Sequence, residues 1–370
     1  MSVLELFDWI DSPVDQNLRD LSLLQSLREQ FDHKPLLIDF TLRYSDGSGF
    51  SGWVDSAARD ILARRQSDQH LIITDTWEFR ENTFRRLVKI LLDNGFNPDQ
   101  LHVVCVTKPD MEFVYSLNTS CKMYHANFFI NRTVDVNRSA LPVGKQQRLV
   151  CLNHRPTYPR AYLCQLLKDL GHGKGLSWSG SGYKVIGQDH LDISLLLDHT
   201  VRRDRIRDHD WFYDQHRVES DDQYNRNSHT IDSSIYSAQV NVVSETFVNT
   251  AEESFDWSPQ IYTSSSVFIT EKMLKPILAE QIFLVQGCKN TLSYLHELGI
   301  ETFGDIIDES YDTEQNWLIR TERIAVEADR LMRLDTDEWQ KAIAVCKDRL
   351  VRNRQRLIEI SEENLALWRL

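Results

Sequence analysis

The sequence predicts an α/β protein built on parallel, doubly wound sheets, divided into two domains and followed by helices. Three observations predict it. Apolar runs alternate with amphipathic stretches at regular spacing in both halves. The runs are continuous, as in strands buried on both faces. At 370 residues the chain exceeds one ordinary core. The expected domains are 1–145, 146–312 and a helical segment, 313–370, that braces the second.

Composition narrows the classes. With 41% apolar and 26% charged residues the chain has enough apolar surface to bury a core. A formal net charge of −13 argues against a broad basic surface that tracks phosphates. The start, M-S-V-L-E-L-F-D, does not read as a signal peptide, and no apolar run reaches spanning length. Cys105, Cys121, Cys151, Cys164, Cys288 and Cys346 are scattered without a C-x-x-C pair, so they read as reduced, mostly buried thiols of a cytoplasmic protein.

In the first half, Val3 to Phe7, Leu36 to Phe40, Leu71 to Thr74 and Leu101 to Val106 read as strands. Asn17 to Gln30, Trp53 to Arg65 and Glu78 to Asp93 read as helices; the last carries Phe84, Leu87, Val88, Leu91 and Leu92 on one face and closes at Asn94-Gly95. Ligands of such sheets gather outside the carboxyl ends of the strands. Asp8, Asp11, Asp39, Asp75 and Glu78 lie near those ends and are candidate general bases; the competing reading is that they cap helices and close turns. The Gly47-Ser48-Gly49 loop lacks the phosphate-loop pattern.

Thr133 to Gln147 is polar, holds Pro142 and Gly144, and has no evident period, so it is the candidate interdomain linker. The strand Arg148 to Leu152 then runs into Asn153, His154 and Arg155, and Arg160 stands at the start of the helix Ala161 to Leu170. Two guanidinium groups and a helix N-terminus suit a diphosphate; the alternative is a solvated basic turn. Gly171 to Gly182 reads as a helix cap and a short strand. Asp208-His209-Asp210 and Asp335-Thr336-Asp337 have the D-x-D spacing of a metal site, but both sit in charged runs, and no essential metal is expected. After 314 the chain reads as two or three long helices.

The stretch Val240 to Pro276 carries the chemistry. A β-branched run ends at Glu245, and V-F-I-T-E-K-M-L-K-P brings Thr270, Glu271 and Lys272 to a helix start, beside free backbone N–H groups. Pro276, in the second turn, is expected to kink that helix.

The residues V-S-E-T-F and V-F-I-T-E-K resemble the donor-site motif of α1,3-fucosyltransferases and of fucosyltransferase-like proteins of bacteriophages. The turn Leu152 to Arg160, and the L-G-I-x-T-F and D-E-S-Y-D segments between Leu295 and Asp312, fit the phage relatives too. The resemblance covers roughly 148–312 and implies two Rossmann-like domains facing across a cleft, the GT-B arrangement. It implies a glycosyltransferase, inverting and metal-independent, taking a GDP- or UDP-linked sugar as co-substrate with no further cofactor. Carried over, Glu271 contacts the donor ribose and Lys272 neutralises the diphosphate; Glu245 stands at the first motif's Glu. Thr246 and Phe268 depart from the family's Asn and Tyr at positions that touch the nucleotide there, which leaves the donor open.

The expected donor-binding set is therefore Asn153, Arg155, Arg160, Glu245, Thr246, Phe268, Thr270, Glu271 and Lys272. Lys272 is also catalytic, with Asp8 or Asp75 as the base. The acceptor is a glycan hydroxyl or a hydroxymethylated pyrimidine in phage DNA; Arg64, Arg65, Arg85, Arg86 and Lys89 are the candidate basic lining for DNA, against ordinary solvated helix faces. In a viral setting the compartment is the host cytoplasm. The reading from another class is a non-catalytic nucleotide-binding or scaffold protein that keeps the fold without turnover.

Overall fold

The computed structural model describes residues 36–39, 54–55, 58–59, 61–63, 70–75, 81–105, 122–125, 127–138, 145, 147–153, 158–172, 176–178, 231, 237–245, 248–249, 261–262 and 267–367. The protein is mixed α/β with parallel sheets. The chain divides into two compact units, Met1–Asn131 with Ser361–Leu370, and Arg132–Ile360. No helix among the described residues is long and apolar enough to cross a membrane.

The first unit holds strands β1 (Leu36–Asp39), β2 (Leu71–Asp75), β3 (Leu101–Cys105) and β4 (Lys122–His125), paired in parallel in that order. Helix α1 (Glu81–Asp93) connects β2 to β3. Its Leu87, Val88 and Leu91 are buried against Leu71, Ile73, Leu101 and Val103 of the strands. Val54, Ala58 and Ile61, at helical spacing, complete that core. Helix α1 ends where the sequence predicts. Gly95 takes φ +75°, its N–H reaches the Leu92 carbonyl at 2.9 Å, and the Phe96 N–H reaches that of Leu91 at 2.9 Å. This is a Schellman cap, and only glycine adopts that φ without strain.

Two elements differ from expectation. Strand β4, K-M-Y-H, carries no apolar run and pairs through its backbone with β3. Helix α2 (Phe128–Asn137) takes the first part of the polar stretch read as a linker. Ile130, Thr133, Val134 and Asn137 are buried at helical spacing, and the polar pair satisfies itself: Asn137 Nδ2 donates to the Thr133 carbonyl at 2.7 Å while Asn137 Oδ1 accepts the Ile231 N–H at 2.8 Å.

The second unit holds β5 (Gln147–Asn153), α3 (Tyr158–Asp169), β6 (Leu176–Trp178), β7 (Ala238–Ser244), the parallel pair β8 (Val248–Asn249) and β9 (Ile261–Tyr262), α4 (Glu271–Leu278), β10 (Ile282–Gln286), α5 (Thr291–Glu297), α6 (Trp317–Met332) and, as far as Ile360, α7 (Thr336–Leu367). Its main sheet runs β10-β7-β5-β6, all parallel. From β5 the chain steps through α3 to β6; from β7 it steps the other way, through α4, to β10. Right-handed crossovers in opposite directions put α3 and α4 on opposite faces. Strands covered on both faces need apolar residues throughout, and β10 is buried at every position.

The segment after α5 closes this unit. Phe303 packs edge-to-face on Phe283 of β10, centroids 4.9 Å apart. The Tyr311 hydroxyl accepts the N–H of Val285 at 3.4 Å and so covers a donor on the sheet edge. Asp312 accepts the N–H groups of Leu292 (3.0 Å) and Ser293 (3.3 Å), which caps α5. Asp335 caps α7 with Glu338 as a reciprocal box, at 2.9 and 3.3 Å. The D-x-D at 335–337 is thus a helix start. Asp208-His209-Asp210 lies outside the described residues.

Candidate functional site

The strand order reverses between β5 and β7, so the carboxyl ends of those two strands border the crevice where open α/β sheets bind ligands. Asn153 is the last residue of β5, and Glu245 follows β7 directly. The starts of α3 and α4 flank this region, bringing Arg160 on one and Thr270 to Lys272 on the other.

Helix α4 begins as the sequence predicts. Thr270 is extended, at φ −123°, and its hydroxyl accepts the Lys272 N–H at 3.3 Å. Glu245 then holds the cap. Its two carboxylate oxygens accept the Thr270 N–H at 2.8 Å and the Thr270 hydroxyl at 2.7 Å. Glu245 is 2% exposed, and burial raises its carboxyl above the usual range, against the pull of Lys272. Both of its carboxylate oxygens are thus directed at Thr270. Phe268 was expected at the nucleotide; it is buried, and its backbone bonds to the Cys288 thiol.

Glu271 and Lys272 remain at the surface of this assembly, with side chains 13% and 26% exposed. Lys272 Nζ lies 2.9 Å from Glu271 Oε1 and 3.2 Å from Thr270 Oγ1. The positive end of the helix dipole and an ammonium group stand together with two carboxyl groups beside them, those of Glu271 and Glu245. Lys275, four residues beyond Glu271, is buried, and desolvation lowers its ammonium to about 8 against the charge of Glu271. The helix runs past Pro276 to Leu278.

On the other flank Arg160 is 3% exposed in the first turn of α3, and its positive charge reaches the Cys164 thiol. The two flanks meet at Gln286. Its side chain accepts the Ser244 hydroxyl at 2.5 Å and donates to the Pro159 carbonyl at 2.8 Å and to Thr321 Oγ1 at 3.0 Å. Gly287 passes close behind: a Cβ there would sit 3.1 Å from Thr291 Oγ1 and 3.4 Å from Val285. Cys288 is no nucleophile, because burial pushes its thiol up to about 12.

The structure brings together Glu245, Phe268, Thr270, Glu271 and Lys272. Asp75 is the last residue of β2, in the first unit. Asp8, Arg155 and Thr246 lie outside the described residues, as do Arg64 and Arg65. Two members of the expected basic lining are neutralised locally: Arg86 pairs with Asp55 at 2.7 Å and Lys89 with Asp93 at 3.0 Å. Among the described residues, no group of three or more His, Cys, Asp or Glu side chains is placed to hold a metal. Sequence reasoning missed Ser244, Lys275 and Gln286. A glutamine that closes the apolar run I-F-L-V was the available signal for the last.

No protein-family model matches the chain, and no curated protein matches it. A solved structure of the DNA-modifying enzyme β-glucosyltransferase, studied with and without its substrate uridine diphosphoglucose, aligns with a TM-score of 0.35 and 8% identity, over 90% of this chain and 99% of that one. The likeness is too loose to carry an argument about fold, substrate or reaction.

Proposed function

We propose that the protein is a glycosyltransferase that moves a sugar from a nucleotide-sugar to an acceptor hydroxyl, with the donor held by the second unit. The observation that carries this reading is the start of α4 at the strand-order reversal, where Thr270, Glu271 and Lys272 stand on a cap built by Glu245. Lys272, with Arg155 and Arg160, offsets the charge that develops on the departing diphosphate, so that no metal is needed. Glu271 accepts hydrogen bonds from ribose hydroxyls. Asn153 and Thr246 border the nucleotide. A carboxylate of the first unit, Asp8 or Asp75, takes the acceptor proton, and the anomeric centre inverts.

A thermal-shift screen against GDP-, UDP- and CMP-sugars tests the reading. A donor that binds only the native state at 100 times its Kd adds about 2.7 kcal/mol. Lys272→Ala is expected to weaken that donor on the order of 100-fold and to abolish its hydrolysis, and Glu271→Ala to act in the same direction. If the purified protein neither binds nor hydrolyses any of these donors, the non-catalytic scaffold reading replaces the enzyme. With the donor known, transfer to a glycan and to a duplex containing hydroxymethylcytosine separates the two acceptor classes, and a steep salt dependence marks the DNA acceptor.

A further inference from the structure

We propose that Gln286 is a positioning residue that sets the spacing between the two basic flanks of the crevice; this rests on the donor-site reading above. Gln286 is 1% exposed and lies at the carboxyl end of β10, an edge strand that borders β7. Its amide spends both ends. The oxygen takes the Ser244 hydroxyl at the end of β7. The NH2 group gives one bond to the carbonyl of Pro159, the residue before Arg160, and one to Thr321 on α6. The Pro159 carbonyl can only accept, which fixes which way round the amide lies.

The backbone of the same residue reaches the other flank. The Gln286 carbonyl accepts the Glu245 N–H at 2.8 Å. Glu245 holds Thr270 through both carboxylate oxygens, and Thr270 holds the Lys272 N–H. A continuous line of hydrogen bonds, buried up to the last one at Lys272, therefore runs from Pro159 to Lys272, and it passes through Gln286. A diphosphate gripped from both flanks needs them at one separation, and small misplacements are costly.

The side chain's chemistry is specific to an amide. Methionine fills the volume but leaves the Pro159 carbonyl and the Ser244 and Thr321 hydroxyls one partner short. Glutamate keeps the acceptor for Ser244 and sets a negative charge against the Pro159 carbonyl. Both changes disturb the diphosphate end of the site and leave the nucleoside end alone. A residue that merely stabilised the fold would have no such selectivity.

The test compares the affinity of GDP and UDP with that of guanosine and uridine, by calorimetry on the full chain, alongside melting temperatures. Gln286→Met is expected to weaken the better nucleoside diphosphate about tenfold and leave the matching nucleoside unchanged, and Gln286→Glu to do at least as much. Thr321→Val, which removes one partner of the amide, is expected to give about a threefold loss with the same selectivity. It decides the matter if the Gln286 variants do not fold. Equal losses for diphosphate and nucleoside, or no loss in a folded variant, overturn the inference and leave the donor site standing. If the wild-type chain binds neither GDP nor UDP, this inference falls; a CMP-sugar that still binds leaves the donor-site reading standing, and no binding of any of the three donors takes both down.

Discussion

The two sheets are alike in their strands and unlike in their order. Both are parallel and four-stranded among the described residues. The first runs β1-β2-β3-β4, each strand beside its predecessor, and the second runs β10-β7-β5-β6 and reverses after β6. Winding in one direction lays successive crossovers on the same face, whereas a reversal splits them between faces and opens a crevice at the strand ends. The capped helix start with its partly buried charged pair belongs to the reversed sheet. A parallel sheet alone does not open such a crevice; the change of direction does. The first sheet is expected to supply stability and the acceptor side, without gripping the nucleotide.

Paired substitutions test that difference most strongly. Leu87 is fully buried in the first unit, and Leu87→Ala is expected to cost about 2–5 kcal/mol of stability while nucleotide affinity, measured well below the melting temperature, stays unchanged. Glu245→Ala removes both bonds to Thr270 and strands a buried backbone N–H, for about 1–3 kcal/mol. It is expected to weaken the nucleotide as well, because Thr270 no longer fixes the start of α4. Urea titration and calorimetry on the two proteins give both numbers. Equal loss of affinity in the two variants would break the comparison.

Much of this contrast is legible in the sequence, and the gaps have physical causes. Runs dominated by Val, Ile and Leu locate β2, β3, β7 and β10, because buried parallel strands favour them. Thr270-Glu271-Lys272 marks a helix start because capping chemistry is local. Strand β4 is not legible: K-M-Y-H pairs by its backbone, which leaves no side-chain pattern. Helix α2 is hidden because its buried positions include the polar Thr133 and Asn137, whose partners become visible only on folding. Glu245 shows the same limit in the site. Its position at a strand end is readable, but the sequence does not say whether a carboxylate there faces ligand or turns inward onto Thr270, 25 residues away.

The next prediction concerns the buried cation at the reversal. Lys275 holds its proton to about 10.5 when unfolded and to about 8 when folded, because burial penalises the charge. Between those values the unfolded chain binds more protons, so stability contributed by this group rises with pH across that window. Below it both states are charged, and the penalty is in full force. Lys275→Met is therefore expected to be more stable than the wild type at pH 7, by about 1–3 kcal/mol, with the gap closing towards pH 10. Lys145 is also lowered to about 8 by burial, but it is present in both proteins and cancels in the difference. Denaturant midpoints at three pH values suffice. A gap that stays constant would mean that α4 carries no penalised charge, and that the crevice is less basic than its residues suggest.

The smallest expected effect separates two helix starts that look alike in sequence. Glu271-Lys272 opens α4 and Asp335-Thr336-Asp337 opens α7, and each places carboxylates beside free N–H groups. At α7 those groups are used internally, since Asp335 accepts the Glu338 N–H and Glu338 accepts that of Asp335. At α4 the cap is made by Thr270 with Glu245 behind it, and Glu271 and Lys272 pair with each other at 2.9 Å. Asp335→Ala is thus expected to cost about 1 kcal/mol, the usual value of a cap, and to change neither nucleotide nor Mn2+ affinity. A fall in Mn2+ affinity in that variant would make Asp335 a metal ligand and the D-x-D spacing functional. An unchanged affinity with the small stability loss would show that α7 satisfies its own start, whereas α4 draws its cap from Glu245, 25 residues away in sequence.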